Sequence, residues 1–189
     1  MCEKQRTLEK GISLNGKGLH SGINVTLTFK PAPANHGYTF CRLDLPGQPL
    51  IDAIADYVTD TSRGTTLVQN NASAATIEHV LAALYGMQID NALIELNGPE
   101  APIMGGGSSK FVEAIKEAGI VDLKEERNYF EVKQKITYSD EEHGIDLIVY
   151  PDDHLSINIL IDYNSKILGN QYAILDSMND FEKEIADSR

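Results

Sequence analysis

The chain has 189 residues and a formal charge of −12, from 16 Lys and Arg against 28 Asp and Glu. Its 42% hydrophobic and 23% charged residues are ordinary for a globular protein and exclude disordered and collagen-like classes. So acidic a surface repels phosphate backbones, which argues against nucleic-acid binding and against docking on a membrane through a basic face. No run approaches the roughly 18 apolar residues of a membrane span, so no transmembrane segment is expected. Met1–Arg6 lacks the apolar stretch of a signal peptide. Cys2 and Cys41 are too few for a disulfide framework, and a cytoplasmic location is expected.

In chain order, Val25, Leu27 and Phe29 alternate with Thr26 and Thr28, the period-2 pattern of a half-buried strand, and the Pro31–Asn35 run stops it. Residues 51–58 read as another short strand, and 60–67 as a polar connection into one more. A helix is expected over 74–85, with Ile77, Leu81 and Leu84 on one face, Ser73 as N-cap and Gly86 as stop. Its opposite side carries Thr76, His79, Ala82, Ala83 and Gly86, small enough to admit another backbone or a ligand. Asn91–Leu96 reads as a strand. After the glycine-rich run 105–109, a second amphipathic helix spans 109–118, with Phe111, Ala114, Ile115 and Ala118 inside and Gly119 as its stop.

The charged run 122–128 reads as a linker. Beyond it, strands are expected over 129–138, around Ile145, Leu147 and Val149, and over 155–163, with a hairpin loop at 140–144 and a closing helix at 180–189. The order gives an α+β fold, a two-layer helix-on-sheet sandwich. The domain reading is 1–124 as a first α+β domain, then 125–189 as the opening of a second, cut mid-element.

A hydrolytic zinc site takes about three protein ligands and keeps one position open for water. None of His20, His36, His79, His143 and His154 lies two to four residues from another, so the compact metal signatures are absent. His36, His143 and His154 sit in polar loop contexts and read as surface or packing histidines. Glu78-His79 has two readings: a solvated helix edge, which composition alone favours, or a general base beside a metal ligand. Gly105–Lys110 lacks the Gly-Lys-Ser/Thr ending of a phosphate loop; it is a flexible helix entry, or backbone amides able to hold an anion. The turn at 16–22, with Lys17 and His20, either faces a ligand or only joins two strands.

Gln5-Arg6-Thr7-Leu8, Gly16–Gly22, Pro31–Asn35, Asp60-Thr61, Thr76-Ile77-Glu78-His79, Ala82–Leu84, Gly98-Pro99-Glu100 and Pro102–Met104 occur in the order found in one family. In these residues the chain resembles the N-terminal portion of UDP-3-O-acyl-N-acetylglucosamine deacetylase, the zinc amidase of lipid A biosynthesis. The resemblance implies a zinc ion held by two His and one Asp, which activates water for attack on the N-acetyl carbonyl of UDP-3-O-(3-hydroxyacyl)-N-acetylglucosamine. It makes His79 a zinc ligand and Glu78 the general base, and places Asp60, Thr61 and His20 near the substrate. A Thr hydroxyl for the oxyanion and a late His for the leaving amine complete the family's machinery. The family fold is two similar α+β domains with the metal between them, and some relatives carry a fused hydroxyacyl-carrier-protein dehydratase.

Two departures stand out. The family's late His-x-x-x-Asp ligand pair is missing, because the residues four after each His are Asn24, Phe40, Ala83, Leu147 and Asn158. With one zinc ligand and the base, this polypeptide alone is expected to be inactive. Gly105 stands where the family usually has Asp. The alternative is a non-catalytic α+β domain that binds a nucleotide sugar or a protein.

Overall fold

The computed structural model describes residues 3–188; Cys2 and Arg189, which entered the sequence expectations, lie outside the described residues. The first strands are β1 (Lys4–Leu8), β2 (Ile12–Lys17), β3 (Asn24–Pro31), β4 (Tyr38–Arg42) and β5 (Leu50–Asp52). A 3-10 turn (Ala55–Tyr57) leads to β6 (Val58–Asp60), β7 (Thr66–Gln69) and β8 (Ala72–Ala75). Then come helix α1 (Glu78–Gly86), β9 (Ala92–Leu96), α2 (Ser109–Ala118) and β10 (Ile120–Glu126). The remainder holds β11 (Ile136–Asp140), β12 (Ile145–Val149), β13 (Ile157–Asp162), β14 (Asn170–Leu175), a 3-10 turn (Met178–Asp180) and α3 (Phe181–Glu184). The chain divides into two compact units: one runs to Arg127 and resumes at Met178, and the other is Asn128–Ser177.

In the larger unit the main sheet has the order β2-β3-β9-β4-β5 and is antiparallel except for the parallel β4–β9 pair. The register sets Phe29 opposite Ile94, Ile94 beside Phe40, and Phe40 opposite Ile51. These four form one fully buried row across the sheet. Period-2 alternation dictates this, because each strand sends every second side chain to the same face. The helices close the row: the Phe29 and Phe111 rings meet edge to face, 6.2 Å apart at 74°. Burying side chains of this size contributes about 1.5–3 kcal/mol each, so the helix-on-sheet core is the main favourable term. The α+β, two-layer architecture is as the sequence implies.

Several elements differ from expectation. Residues 72–75 are strand, so the helix expected from 74 starts later: Ala72 and Ala74 alternate inward and pair with Gln69 and Leu67. Thr76 then takes a left-handed φ of 55°, so α1 starts only at Glu78 and the backbone of Ile77, rather than Ser73, stands at the cap. Short apolar alternation and the first turn of an amphipathic helix look alike over four residues. The stretch 51–58 is broken by the Ala55–Tyr57 turn.

The charged run 122–128 is no linker through Glu126. It forms most of β10, paired with β1 in the register Leu8–Ile120 to Lys4–Glu126. Its charges face Arg6 and Lys4 across the ladder at 3.7 Å. A partner strand more than a hundred residues away leaves no local signal. Arg127 beyond it is largely enclosed and pairs with Asp90 at 2.9 Å.

Within Asn128–Ser177, β11 pairs antiparallel with β12, and β13 with β14. The strand expected from Tyr129 begins only at Ile136, and β14 has no counterpart among the expected elements. The expected closing helix shrinks to α3, since the Ile185 and Ala186 amides both turn back to the Phe181 carbonyl. Phe181 lies against Gly86, where an added Cβ would come 2.1 Å from its ring. The small-residue side of α1 therefore admits an aromatic ring of this chain at Gly86, and Ala83 is fully buried.

Candidate functional site

Glu78 is the first residue of α1, and the left-handed Thr76 turns the chain from β8 into that helix. One Glu78 oxygen, Oε2, accepts the Thr65 amide at 2.9 Å. Thr65 lies in the β6–β7 loop, next to Gly64 at φ 152°, where an added Cβ would stand 3.1 Å from Glu78 Oε1. In the same loop the Arg63 carbonyl lies 3.0 Å from His20 Nε2. The structure thus brings His20, the 60–65 loop and Glu78 into one neighbourhood.

His79 is half-buried, and its backbone carbonyl accepts the Ser108 hydroxyl at 3.1 Å. The Ser108 and Ser109 amides donate to the Ala186 carbonyl at 2.7 and 2.9 Å. Those helix-start amides, one of the two readings of the glycine-rich run, are occupied by this chain's own backbone rather than open to an anion.

Asp60 and Thr61 are exposed at the end of β6 and the start of the loop. The Ser62 amide donates to Asp60 Oδ1 at 2.9 Å, and this bond, aided by the Ser62 hydroxyl, holds the Asp60 carboxyl below its ordinary value. His143 and His154 are exposed and His36 is half-buried with an enclosed Nε2, within the surface or packing reading of all three.

Glu100, given no role by the sequence, is the best-satisfied acid of this region. It is 3% exposed and accepts the His20 amide (2.9 Å), the Ser21 amide (2.8 Å) and the Thr76 hydroxyl (3.0 Å). Burial pushes its carboxyl up, but the hydrogen bonds from the Ser21 hydroxyl, the His20 and Ser21 amides and the Thr76 hydroxyl outweigh it and hold it down to about 2. An acid flanked by Pro99 and Ala101, with no neighbouring charge in sequence, is the available signal.

Asp152, Asp153 and His154, all exposed, are the group of His, Cys, Asp or Glu side chains among the described residues that converge closely enough for a metal. His79 is not part of it. The residues at the start of α1 offer one imidazole and one carboxylate. They suit zinc by type but fall short of its usual three protein ligands.

A family model described as LpxC: UDP-3-O-acyl N-acetylglycosamine deacetylase matches residues 5–189. The chain belongs to this family. A bifunctional enzyme LpxC/FabZ of Bacteroides thetaiotaomicron is 48% identical over 98% of this chain and 40% of its own length. One of the same name from Porphyromonas gingivalis is 46% identical over 99% of the chain, again 40% of its own length. A UDP-3-O-acyl-N-acetylglucosamine deacetylase of Myxococcus xanthus is 41% identical over 98% of the chain and 59% of its length. The chain thus spans about two fifths of the bifunctional relatives it matches.

Within the LpxC family framework, Gly105 has a structural account. It sits at φ 97°, between Met104 at 49° and Gly106 at 90°, with open space where a Cβ would go. Glycine adopts this backbone without strain. Among the described residues no helix is long and apolar enough to cross a membrane.

Proposed function

We propose that this chain is the N-terminal portion of a zinc-dependent deacetylase that removes the N-acetyl group of UDP-3-O-(3-hydroxyacyl)-N-acetylglucosamine in lipid A biosynthesis, in the cytoplasm. The observation that carries this reading is Glu78-His79 at the start of α1, with the Glu78 carboxylate anchored by the Thr65 amide, in a chain of the LpxC family. Zinc, when bound, supplies an activated water and polarises the amide carbonyl. His79 is assigned to it as a ligand, and a second His and an Asp from the rest of the full-length protein complete the set.

Glu78 acts as the general base. The Thr65 amide fixes Oε2 and thereby orients the carboxylate, leaving Oε1 to take the proton of the attacking water. His20, Asp60 and Thr61 lie on the two exposed segments beside Glu78 and are assigned to substrate contacts. With one imidazole, the 189-residue chain alone holds zinc no better than a surface histidine does and turns over no substrate.

The test is the full-length protein with Glu78→Gln and His79→Ala. Glu78→Gln is expected to lower kcat by at least about 100-fold with zinc content unchanged. His79→Ala is expected to lose both zinc and activity. A Glu78→Gln protein with unaltered kcat, or a His79→Ala protein that keeps its zinc, overturns the assignment.

A further inference from the structure

We propose that Glu100 is a positioning residue of the deacetylation site, a buried carboxylate that fixes the turn carrying His20 against the strand-to-helix junction carrying Glu78 and His79. The inference rests on the functional reading above and adds to it a residue that touches neither substrate nor metal.

Three segments far apart in sequence meet at this one side chain. His20 and Ser21 lie 80 and 79 residues from Glu100, and Thr76 lies 24 away. Backbone bonds run alongside: the Ala75 amide donates to the Pro99 carbonyl, the Ala101 amide to the Ala75 carbonyl, and the Ile103 amide to the Lys17 carbonyl, each at 2.9 Å. Gly18 shows how close the approach is, since an added Cβ would stand 2.3 Å from Glu100 Oε2. A side chain at position 18 would collide with the carboxylate.

The contacts close a ring. Glu100 holds the His20 amide; the His20 ring reaches the Arg63 carbonyl; two residues on, the Thr65 amide holds Glu78; and Thr76, two residues before Glu78, returns to Glu100. Every donor aimed at Glu100 is an N–H or O–H, so the position requires an acceptor with two oxygens. Glutamine supplies one oxygen and sets an NH2 against a backbone N–H. The left-handed φ of 55° at Thr76, costly for a β-branched residue, persists because its hydroxyl is tied here. Release of this tie lets the junction relax and shifts Glu78.

The test uses the full-length protein with Glu100→Gln, reading kcat, KM, zinc content and amide hydrogen exchange. The expected result is a kcat about 10–100-fold lower with zinc content unchanged. The His20, Ser21 and Thr65 amides should exchange about tenfold faster or more under conditions where far-ultraviolet circular dichroism shows the variant to be folded. Thr76→Val, which removes one donor and keeps the shape, should move kcat and these amides the same way by a smaller factor, and it decides the matter if Glu100→Gln does not fold. A kcat within about twofold of the unsubstituted protein overturns the proposal, as does a loss of activity in a folded variant whose His20, Ser21 and Thr65 amides exchange at unchanged rates. If the unsubstituted protein does not deacetylate, the functional reading fails by itself. The exchange result still decides the Glu100 tie, which is overturned by unchanged rates at His20 and Ser21.

Discussion

β3 and β13 carry nearly the same message in sequence and meet different fates. Val25, Leu27 and Phe29 in β3 alternate with polar residues, and all three are buried. Ile157, Ile159 and Ile161 in β13 alternate with Asn158, Leu160 and Asp162, and all three are 39–50% exposed. The alternation sets strand geometry in both. Burial in β3 comes from a second layer, the ring of Phe111 and the rest of α2 lying over the sheet. Asn128–Ser177 has two hairpins and, among the described residues, no helix of its own to do the same.

The sharpest way to break the comparison is a matched pair of truncations. Phe29→Ala removes a ring from the closed core and should cost about 3–5 kcal/mol. Ile159→Ala, at a half-exposed strand position, should cost less than about 1 kcal/mol. Urea unfolding of each variant, followed by far-ultraviolet circular dichroism, checks both. Equal costs would mean that the two strands are covered alike in solution.

Acid should act next, and through Glu100. Its carboxyl is depressed to about 2 in the folded protein from an ordinary 4.5, so the stabilisation is complete above about pH 4.5 and is lost as the pH falls towards 2. The expected loss is on the order of 3 kcal/mol. Unfolding free energies measured across pH 2–5 should show it, and Glu100→Gln should flatten that part of the profile. The exposed Asp153–His154 pair offers the contrast: hydrogen bonding to His154 lowers the Asp153 carboxyl, yet both groups remain solvated and add little. A smaller effect is expected at Gly105. Gly105→Asp should cost about 1–2 kcal/mol, because φ there is 97°. A stability gain on thermal melting would show that Asp finds a partner the glycine lacks.

How much of the site was legible follows from how local each signal is. Glu78-His79 was visible as an adjacent titratable pair, and the second helix was found with its exact limits because amphipathic spacing and a terminal Gly119 mark it within ten residues. The start of the first helix was misread because Ala72–Ala75 fits strand and helix equally until pairing with β7 decides. The β10 edge reads as linker in the sequence because Lys4 and Arg6, which face Glu126 and Asp122, lie more than a hundred residues away. Glu100 stood in a recognisable segment, but its role depends on donors 24, 79 and 80 residues away.

The sequence by itself determined the acidic, globular character of the chain, the α+β class, the period of most strands and helices, and the family. Tertiary structure alone decided that Phe181 fills the space at Gly86, that Ala186 occupies the amides of Ser108 and Ser109, and that Glu100 joins the His20 turn to the Glu78 helix. The reason is physical. Periodicity and capping act over a few residues and are written in neighbouring side chains, whereas a hydrogen bond across eighty residues exists only once the core has brought its partners together.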